Sequence, residues 1–284
     1  MPEYQKIALV TGAASGIGFA TAKMLLEQGV RVLAVARNES RCKHALEHMD
    51  HKENIEFFPC DLSSRQEILS LAEKLRSRYP CIDALIHCAG MQQSHYMTND
   101  DGLEMQFAVN HLATFILTYE LLPCLKPSND ARVILLSSIA HKNTRLDFSD
   151  LQLQKGYTGY RQYKRTKLMN TLFAVELNRR LKGLHIRAFA VDPGFVNTEF
   201  GSKGLMGLEG FFCRLVLKHG VPPEVPARCI AYTALNQRLI HSDAVYWKDC
   251  KPQKPDPYIY NEDAAKKLFD ASERFGRTGD WKID

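Results

Sequence analysis

The chain has no Cys-x-x-Cys pair, no block of like charges and no apolar run long enough to span a bilayer. The eight cysteines (Cys42, Cys60, Cys81, Cys88, Cys124, Cys213, Cys229, Cys250) show no zinc-ligand spacing with nearby histidines, so no metal site is expected. Scattered thiols of this kind suit an intracellular protein. The 37 basic and 32 acidic residues, a net charge of +5, are spread along the chain and give nucleic acid no tract to bind. The first apolar run, Ile7–Val10, leads straight into a glycine turn, which leaves no room for a signal peptide or membrane anchor before the fold begins. Neither Met1-Pro2 nor the ending Trp281–Asp284 is a lipidation motif. A cytoplasmic protein without a transmembrane anchor is expected. With 45% hydrophobic residues in 284, the chain can bury one large core, and a single domain over 1–284 is expected.

What the sequence does contain is alternation. Short apolar runs at Ile7–Val10, Val32–Ala36, Ile55–Phe58, Ala84–His87, Val133–Leu136 and Ile186–Val191 read as strands. Between them, Ile17–Gln28, Arg65–Arg78, Leu103–Leu122 and Tyr160–Leu181 repeat apolar residues at helical spacing. Repeated β-α units predict a doubly wound, parallel α/β sheet with helices on both faces, because right-handed crossovers lay helices across it. A Pro-rich segment, Lys251–Pro257, leads to a final helix near Glu262–Phe275. The interval Phe200–Gly220 is rich in Gly, Leu and Phe, but Glu209 and Arg214 interrupt it, and it is too short for the roughly 20 apolar residues a spanning helix needs. It reads either as a flap over an apolar substrate (about 199–221), with peripheral membrane contact open to it, or as ordinary packing of short helices.

The first strand runs into Thr11-Gly12-Ala13-Ala14-Ser15-Gly16-Ile17-Gly18. Glycine is needed where a backbone turns sharply, approaches a pyrophosphate and packs helix on strand, and the helix start then offers free N–H groups to phosphates. This is the Rossmann-like signature for a dinucleotide. The second strand ends at Arg37-Asn38, where a carboxylate would hold the ribose 2′-hydroxyl of NAD; a guanidinium there would pair with a 2′-phosphate, so NADP(H) is expected. Asp61-Leu62 and Cys88-Ala89-Gly90 fall at the ends of the third and fourth strands, where a cofactor lies in such sheets. Asp61 could accept from the adenine amino group, and it would also favour a helix start.

Further along stand Ser138, ending the fifth strand, and Tyr163 with Lys167 on the long helix that follows. Four-residue spacing places Tyr163 and Lys167 on one face, and a nearby ammonium favours phenolate over phenol, as a general acid for carbonyl reduction requires. Ser138 could donate to the same oxygen. Tyr160 and Lys164 form a second such pair, and spacing does not choose between them. Asn110, mid-helix, could hold a water near the lysine or cap or kink its helix.

Taken in order, these motifs resemble the short-chain dehydrogenase/reductase family over essentially the whole chain. The family's TGxxxGxG turn, its Asp, its NNAG-type strand end, its Asn, its Ser and its YxxxK correspond to Thr11–Gly18, Asp61, Cys88–Gly90, Asn110, Ser138 and Tyr163 with Lys167. The run Tyr163-x-x-Thr166-Lys167-Leu168-Met169-Asn170 resembles YxxSKLAN and so favours Tyr163 over Tyr160. The resemblance implies that Val196 and Thr198 meet the nicotinamide carboxamide, that Pro193 and Gly194 beside them bind the cofactor and that Lys167 binds the nicotinamide ribose. The long Ser138-to-Tyr163 separation, with Asp150-Leu151-Gln152, and the ending from Tyr246-Trp247 to Lys267-Leu268-Phe269 resemble retinol dehydrogenases. The implied substrates are lipophilic aldehydes, ketones or alcohols, retinoids among them. Cys88 stands where the family has asparagine, and a thiol cannot reproduce the amide's paired hydrogen bonds. Family members commonly pair through the two helices that here are Leu103–Leu122 and Tyr160–Leu181, so a homodimer is open. The competing class is a non-catalytic NADPH-sensing regulatory protein, against which the intact Tyr163 and Lys167 count.

Overall fold

The computed structural model describes residues 5–197, 220–279 and 281. Thr198 and most of the expected flap, 199–219, lie outside them. Among the described residues eight strands form one sheet: β1 (Ile7–Thr11), β2 (Arg31–Ala36), β3 (Ile55–Pro59), β4 (Ala84–His87), β5 (Ala131–Leu136), β6 (Ile186–Val191), β7 (Tyr246–Lys248) and β8 (Lys251–Pro252). Their spatial order is β3-β2-β1-β4-β5-β6-β7-β8, parallel throughout except for the β7–β8 pair. The order reverses between β1 and β4, which opens a crevice at their carboxyl ends, the place where ligands bind in open α/β sheets. This is the Rossmann-like fold.

The helices among the described residues are α1 (Gly16–Glu27), α2 (Glu39–Glu47), α3 (Arg65–Arg78), α4 (Met105–Leu125, with a π-helical turn at Ala108–Leu112), α5 (Gly159–Arg180), α6 (Glu224–Leu235) and α7 (Glu262–Gly276). Their starts follow capping chemistry: Asn38, Ser64, Thr158 and Asn261 each accept a backbone N–H in the first turn. Strand alternation divides the core in two. Ala8, Val10, Val32, Ala34 and Ile134 face α1 and α6, whereas Leu9, Leu33, Leu85, Val133 and Leu135 face α3, α4, α5 and α7. Phe115, Phe173 and Phe269 are each at most 2% exposed on the second side, and burial of each stabilises the fold by roughly 1.5–3 kcal/mol. Among the described residues α4 alone is long and apolar enough to cross a membrane, yet most of it is buried within the protein, as a core helix is.

The Pro-rich segment read as a linker holds β8 and a 3-10 turn at Pro257–Tyr260. Asp256 caps that turn and is held by Asn143 N–H and Arg145, so the segment is tied to the chain that follows Ser138.

Candidate active site

The crevice begins with the glycine turn. Gly12 and Gly16 have φ of +69° and +54°, a conformation that costs L-residues energy. A Cβ on Gly12 would sit 3.0 Å from the Ala89 Cα, and one on Gly18 would sit 2.4 Å from the Gly12 carbonyl oxygen. The turn is therefore pressed against the end of β4 and against the first turn of α1. Thr11 Oγ1 accepts the Ala89 N–H at 3.1 Å and fastens the same two strand ends. Ser15 precedes α1 without capping it through its side chain, and the first turn carries no acidic residue. A dipole end with uncommitted N–H groups beside a backbone that no side chain fills suits a pyrophosphate. Gly16 and Ile17 open that helix and are partly exposed.

At the end of β2, Arg37 is 73% exposed, and its Nη1 lies 3.8 Å from Asp61 Oδ2. An exposed pair of this kind adds little stability but restrains the guanidinium. Asn38 caps α2 through Arg41 N–H, and Asp61 is turned by Ser63, whose N–H and hydroxyl it accepts. Leu62 is partly buried beside Asp61. Cys88, Ala89 and Gly90 are partly buried where β4 opens into the crevice. Burial pushes the Cys88 thiol up to about 12, with the Thr21 hydroxyl and the Lys167 ammonium pulling the other way. His87, one residue earlier, is a core histidine: it pairs with Thr118 Oγ1 at 3.0 Å, and burial pushes its pKa down to about 3.

The reacting end is assembled from β5, α4 and α5. Lys167 is buried, and its Nζ donates to the Leu136 carbonyl at 3.0 Å; that is its one hydrogen bond among the described residues. Burial lowers the ammonium's pKa from 10.5 to about 8. The Nζ lies 5.4 Å from the centroid of the partly buried Tyr163 ring. The second Tyr/Lys pair is placed differently: Tyr160 is 54% exposed, and Lys164 lines an outer cavity with Arg145 and Arg161. Ser138 stands at the end of β5 as the cap of a 3-10 turn, and its Oγ accepts Ala140 N–H at 3.2 Å, which leaves the hydroxyl proton to be donated. His141 donates from Nδ1 to the Ser138 carbonyl at 2.7 Å and accepts Asp256 N–H at Nε2.

Asn110 lies in the π-helical turn of α4 and is fully buried. Its Oδ1 accepts Met91 N–H at 2.7 Å; its Nδ2 donates to Met91 O at 2.9 Å and to Thr166 Oγ1 at 3.2 Å. Its carbonyl accepts Asn170 Nδ2 at 2.9 Å. Both amide donors are thus used to clip the segment after β4 to α5. After β6, Gly194 has φ +70° and donates its N–H to Asp192, whose other oxygen accepts the Tyr246 hydroxyl at 2.8 Å. Pro193 is partly buried, and Val196 bridges to Val221. Thr11, Met91, His141, Asn170 and Tyr246 were not singled out as site residues by sequence reasoning. Thr11, Asn170 and Tyr246 carried a signal, in the Thr11–Gly18 turn, the Tyr163–Asn170 run and the Tyr246-Trp247 ending; Met91 and His141 act through contacts across 19 or more positions.

With this geometry in place, known proteins add their weight. The model of the short chain dehydrogenase family matches residues 6–204. Human retinol dehydrogenase 13 is 35% identical over 283 residues, covering 95% of this chain and 84% of its own. Human retinol dehydrogenase 14 is 33% identical over 286 residues, covering 94% and 85%. A solved structure of an uncharacterized protein from Mycobacterium paratuberculosis aligns with a TM-score of 0.77 and 26% identity over 96% of this chain and 94% of its own. A short chain dehydrogenase from Shigella flexneri, complexed with NADP, aligns with a TM-score of 0.68 over 87% of this chain and 97% of its own; at 20% identity it speaks to the fold alone. The chain belongs to the short chain dehydrogenase family, nicotinamide-dependent oxidoreductases acting on alcohol and carbonyl groups of small molecules.

Proposed function

We propose that the protein is an NADP(H)-dependent oxidoreductase of lipophilic aldehydes, ketones or alcohols, with retinoid-like compounds in the range. The observation that carries the reading is Lys167: a buried ammonium bound by a single carbonyl and directed at the Tyr163 ring. A cation with unused donors in a dry site stabilises the developing phenolate and can grip a ribose hydroxyl. Tyr163 is the proton donor to the carbonyl oxygen, and Ser138 donates to that same oxygen. Asn110 holds the Met91 segment and α5 in register around them. The nicotinamide, when bound, supplies or takes up the hydride.

Two further features support the finer reading. Arg37 offers a restrained guanidinium where an NAD site would offer a carboxylate, and bidentate pairing with a 2′-phosphate suits it. Ile139, Tyr160 and Phe195 expose 48%, 54% and 64% of their surface, and each lies within three positions of a proposed site residue. Exposed apolar side chains at such positions are suited to meeting an apolar substrate. The curated relatives are named as retinol dehydrogenases.

The test is NADPH and NADH oxidation against aldehydes and ketones from small aromatic carbonyls to retinal. Wild type is expected to turn over with NADPH; Tyr163→Phe should lose activity by 100-fold or more, and Arg37→Asp should weaken NADPH use at least ten-fold while sparing NADH. Tight NADPH binding with no turnover on the whole panel would replace this reading with that of an NADPH sensor.

A further inference from the structure

Away from the crevice, on the other side of α5, lies a cavity of about 350 Å³ between the chain that follows Ser138 and the first turns of that helix. Arg145, Arg161, Lys164 and Arg165 line it, with Asp147 the one carboxylate among the lining residues. At 100° per residue, Arg161 and Arg165 lie about 160° round α5 from Tyr163, while Lys164 lies on the flank between them, about 60° from Lys167. Arg161 and Arg165 therefore line this cavity from the side of α5 turned away from Tyr163, with Lys164 at its edge.

The pairing of these charges decides what the cavity would hold. Arg145 is matched by Asp256 at 3.4 Å and stacks on Tyr258, 4.5 Å from the ring centroid. Arg165 is buried and fixed by the carbonyls of Asp147 and Asp150, and the Asp150, Asp147 and Glu104 charges favour its cation while Arg161 opposes it. Asp147 itself accepts the Ser149 N–H and hydroxyl, which hold its carboxyl below the usual range. Neither Arg161 nor Lys164 forms an ion pair among the described residues, although they lie one turn apart. The Asn143 side-chain amide, also in the lining, adds donors without a partner there. Two unmatched cations beside an anchored guanidinium are more than a single carboxylate needs. They match a phosphate monoester, which carries about −1.5 to −2 near neutral pH and three strong acceptor oxygens.

We propose that this cavity is a second ligand site that binds a phosphate monoester, presented either by a soluble molecule or by a lipid headgroup. The site is independent of the crevice and of the substrate. Because one of its walls is the chain between Ser138 and Asp147 and another is α5, occupancy brings an anion to the two elements that carry Ser138 and Tyr163.

Calorimetric titration with glycerol 3-phosphate and co-sedimentation with phosphatidylcholine vesicles, with and without phosphatidic acid, test the proposal on the whole protein. Wild type is expected to bind at least one of the two phosphate probes, more weakly as salt rises. Arg161→Gln/Lys164→Gln, both surface changes, should weaken that binding ten-fold or more, and Arg37→Gln, at the cofactor end, should leave it unchanged. Binding of glycerol 3-phosphate identifies a soluble ligand, and binding only of phosphatidic acid vesicles identifies a headgroup. Failure of both probes to bind, or binding that the double variant retains, overturns the site.

Discussion

An ammonium buried with one carbonyl for company works against folding, and Lys167 is such a group. Its pKa in the folded chain is about 8 against an ordinary 10.5. Below pH 8 both states are charged and the folded chain bears the full cost of burial. Between 8 and 10.5 the folded lysine sheds its proton while the unfolded one keeps it, so this group's contribution to stability rises with pH across that window and is lost as pH falls through 8. The shift corresponds to on the order of 3 kcal/mol at neutral pH. Lys167→Met should therefore melt no lower than wild type at pH 7, and its advantage should shrink when both are measured at pH 10. Its activity should fall by 100-fold or more. A variant that melts well below wild type at pH 7 would show that the lysine is structural. The same burial acts on Cys88 in the opposite sense: it favours the protonated thiol over the thiolate, the nucleophilic form.

At the scale of elements, the glycine turn shows how a short motif fixes two of them at once. The contact of Gly18 with the Gly12 carbonyl is backbone on backbone, so an added methyl cannot be relieved by a rotamer change. Gly18→Ala should cost about 1–3 kcal/mol and weaken NADPH binding by ten-fold or more, while Gly29→Ala, whose Cβ would meet nothing within 4 Å, should strain only its own φ of +75° and leave binding intact. Thermal melts and cofactor titration of the two variants separate the effects; equal binding by both would mean that the turn does not shape the cofactor site. Six parallel strands and most helices were legible in the sequence because their apolar periods are strong and local. Several features were not, α6 and β8 among them. α2 buries only Cys42 and Ala45, too little for a helical stripe. β7 is a three-residue strand whose place depends on β6, more than 50 positions away. The π-helical turn at Asn110 looks like continuous helix in sequence, and the contacts made there, with Met91 and Asn170, are tertiary. The site divides along the same line. Tyr163, Lys167 and the glycines form local patterns, whereas the choice between the two Tyr/Lys pairs becomes physical only when Lys167 is seen buried at the end of β5 and Lys164 is seen outside it.

At the scale of the whole molecule, α7 covers a surface that a partner would need. It packs across α4 and α5, the two helices through which the family resemblance allowed a homodimer. Phe269 is 1% exposed, with its ring centroid 5.0 Å from that of Phe115, 6.1 Å from that of Phe173 and 5.0 Å from that of Trp281. His111 on α4 reaches Ser272 Oγ at 2.8 Å, and the Arg180 guanidinium stacks 3.7 Å from the Phe269 centroid. What α7 shows to solvent is the face of Glu262, Asp263, Lys266 and Lys267, charged and self-paired through Asp263–Lys267 at 2.7 Å. A second copy would have to displace a buried aromatic cluster to reach α4 and α5, or dock on a charged helix face, and neither replaces the apolar area lost. The chain should therefore sediment and scatter as one 32.3 kDa particle at micromolar concentration. If light scattering instead gives twice that mass, and Lys266→Glu/Lys267→Glu on the outer face of α7 halves it again, then α7 is itself the pairing surface and its cluster a foundation for the dimer, not a cover against it.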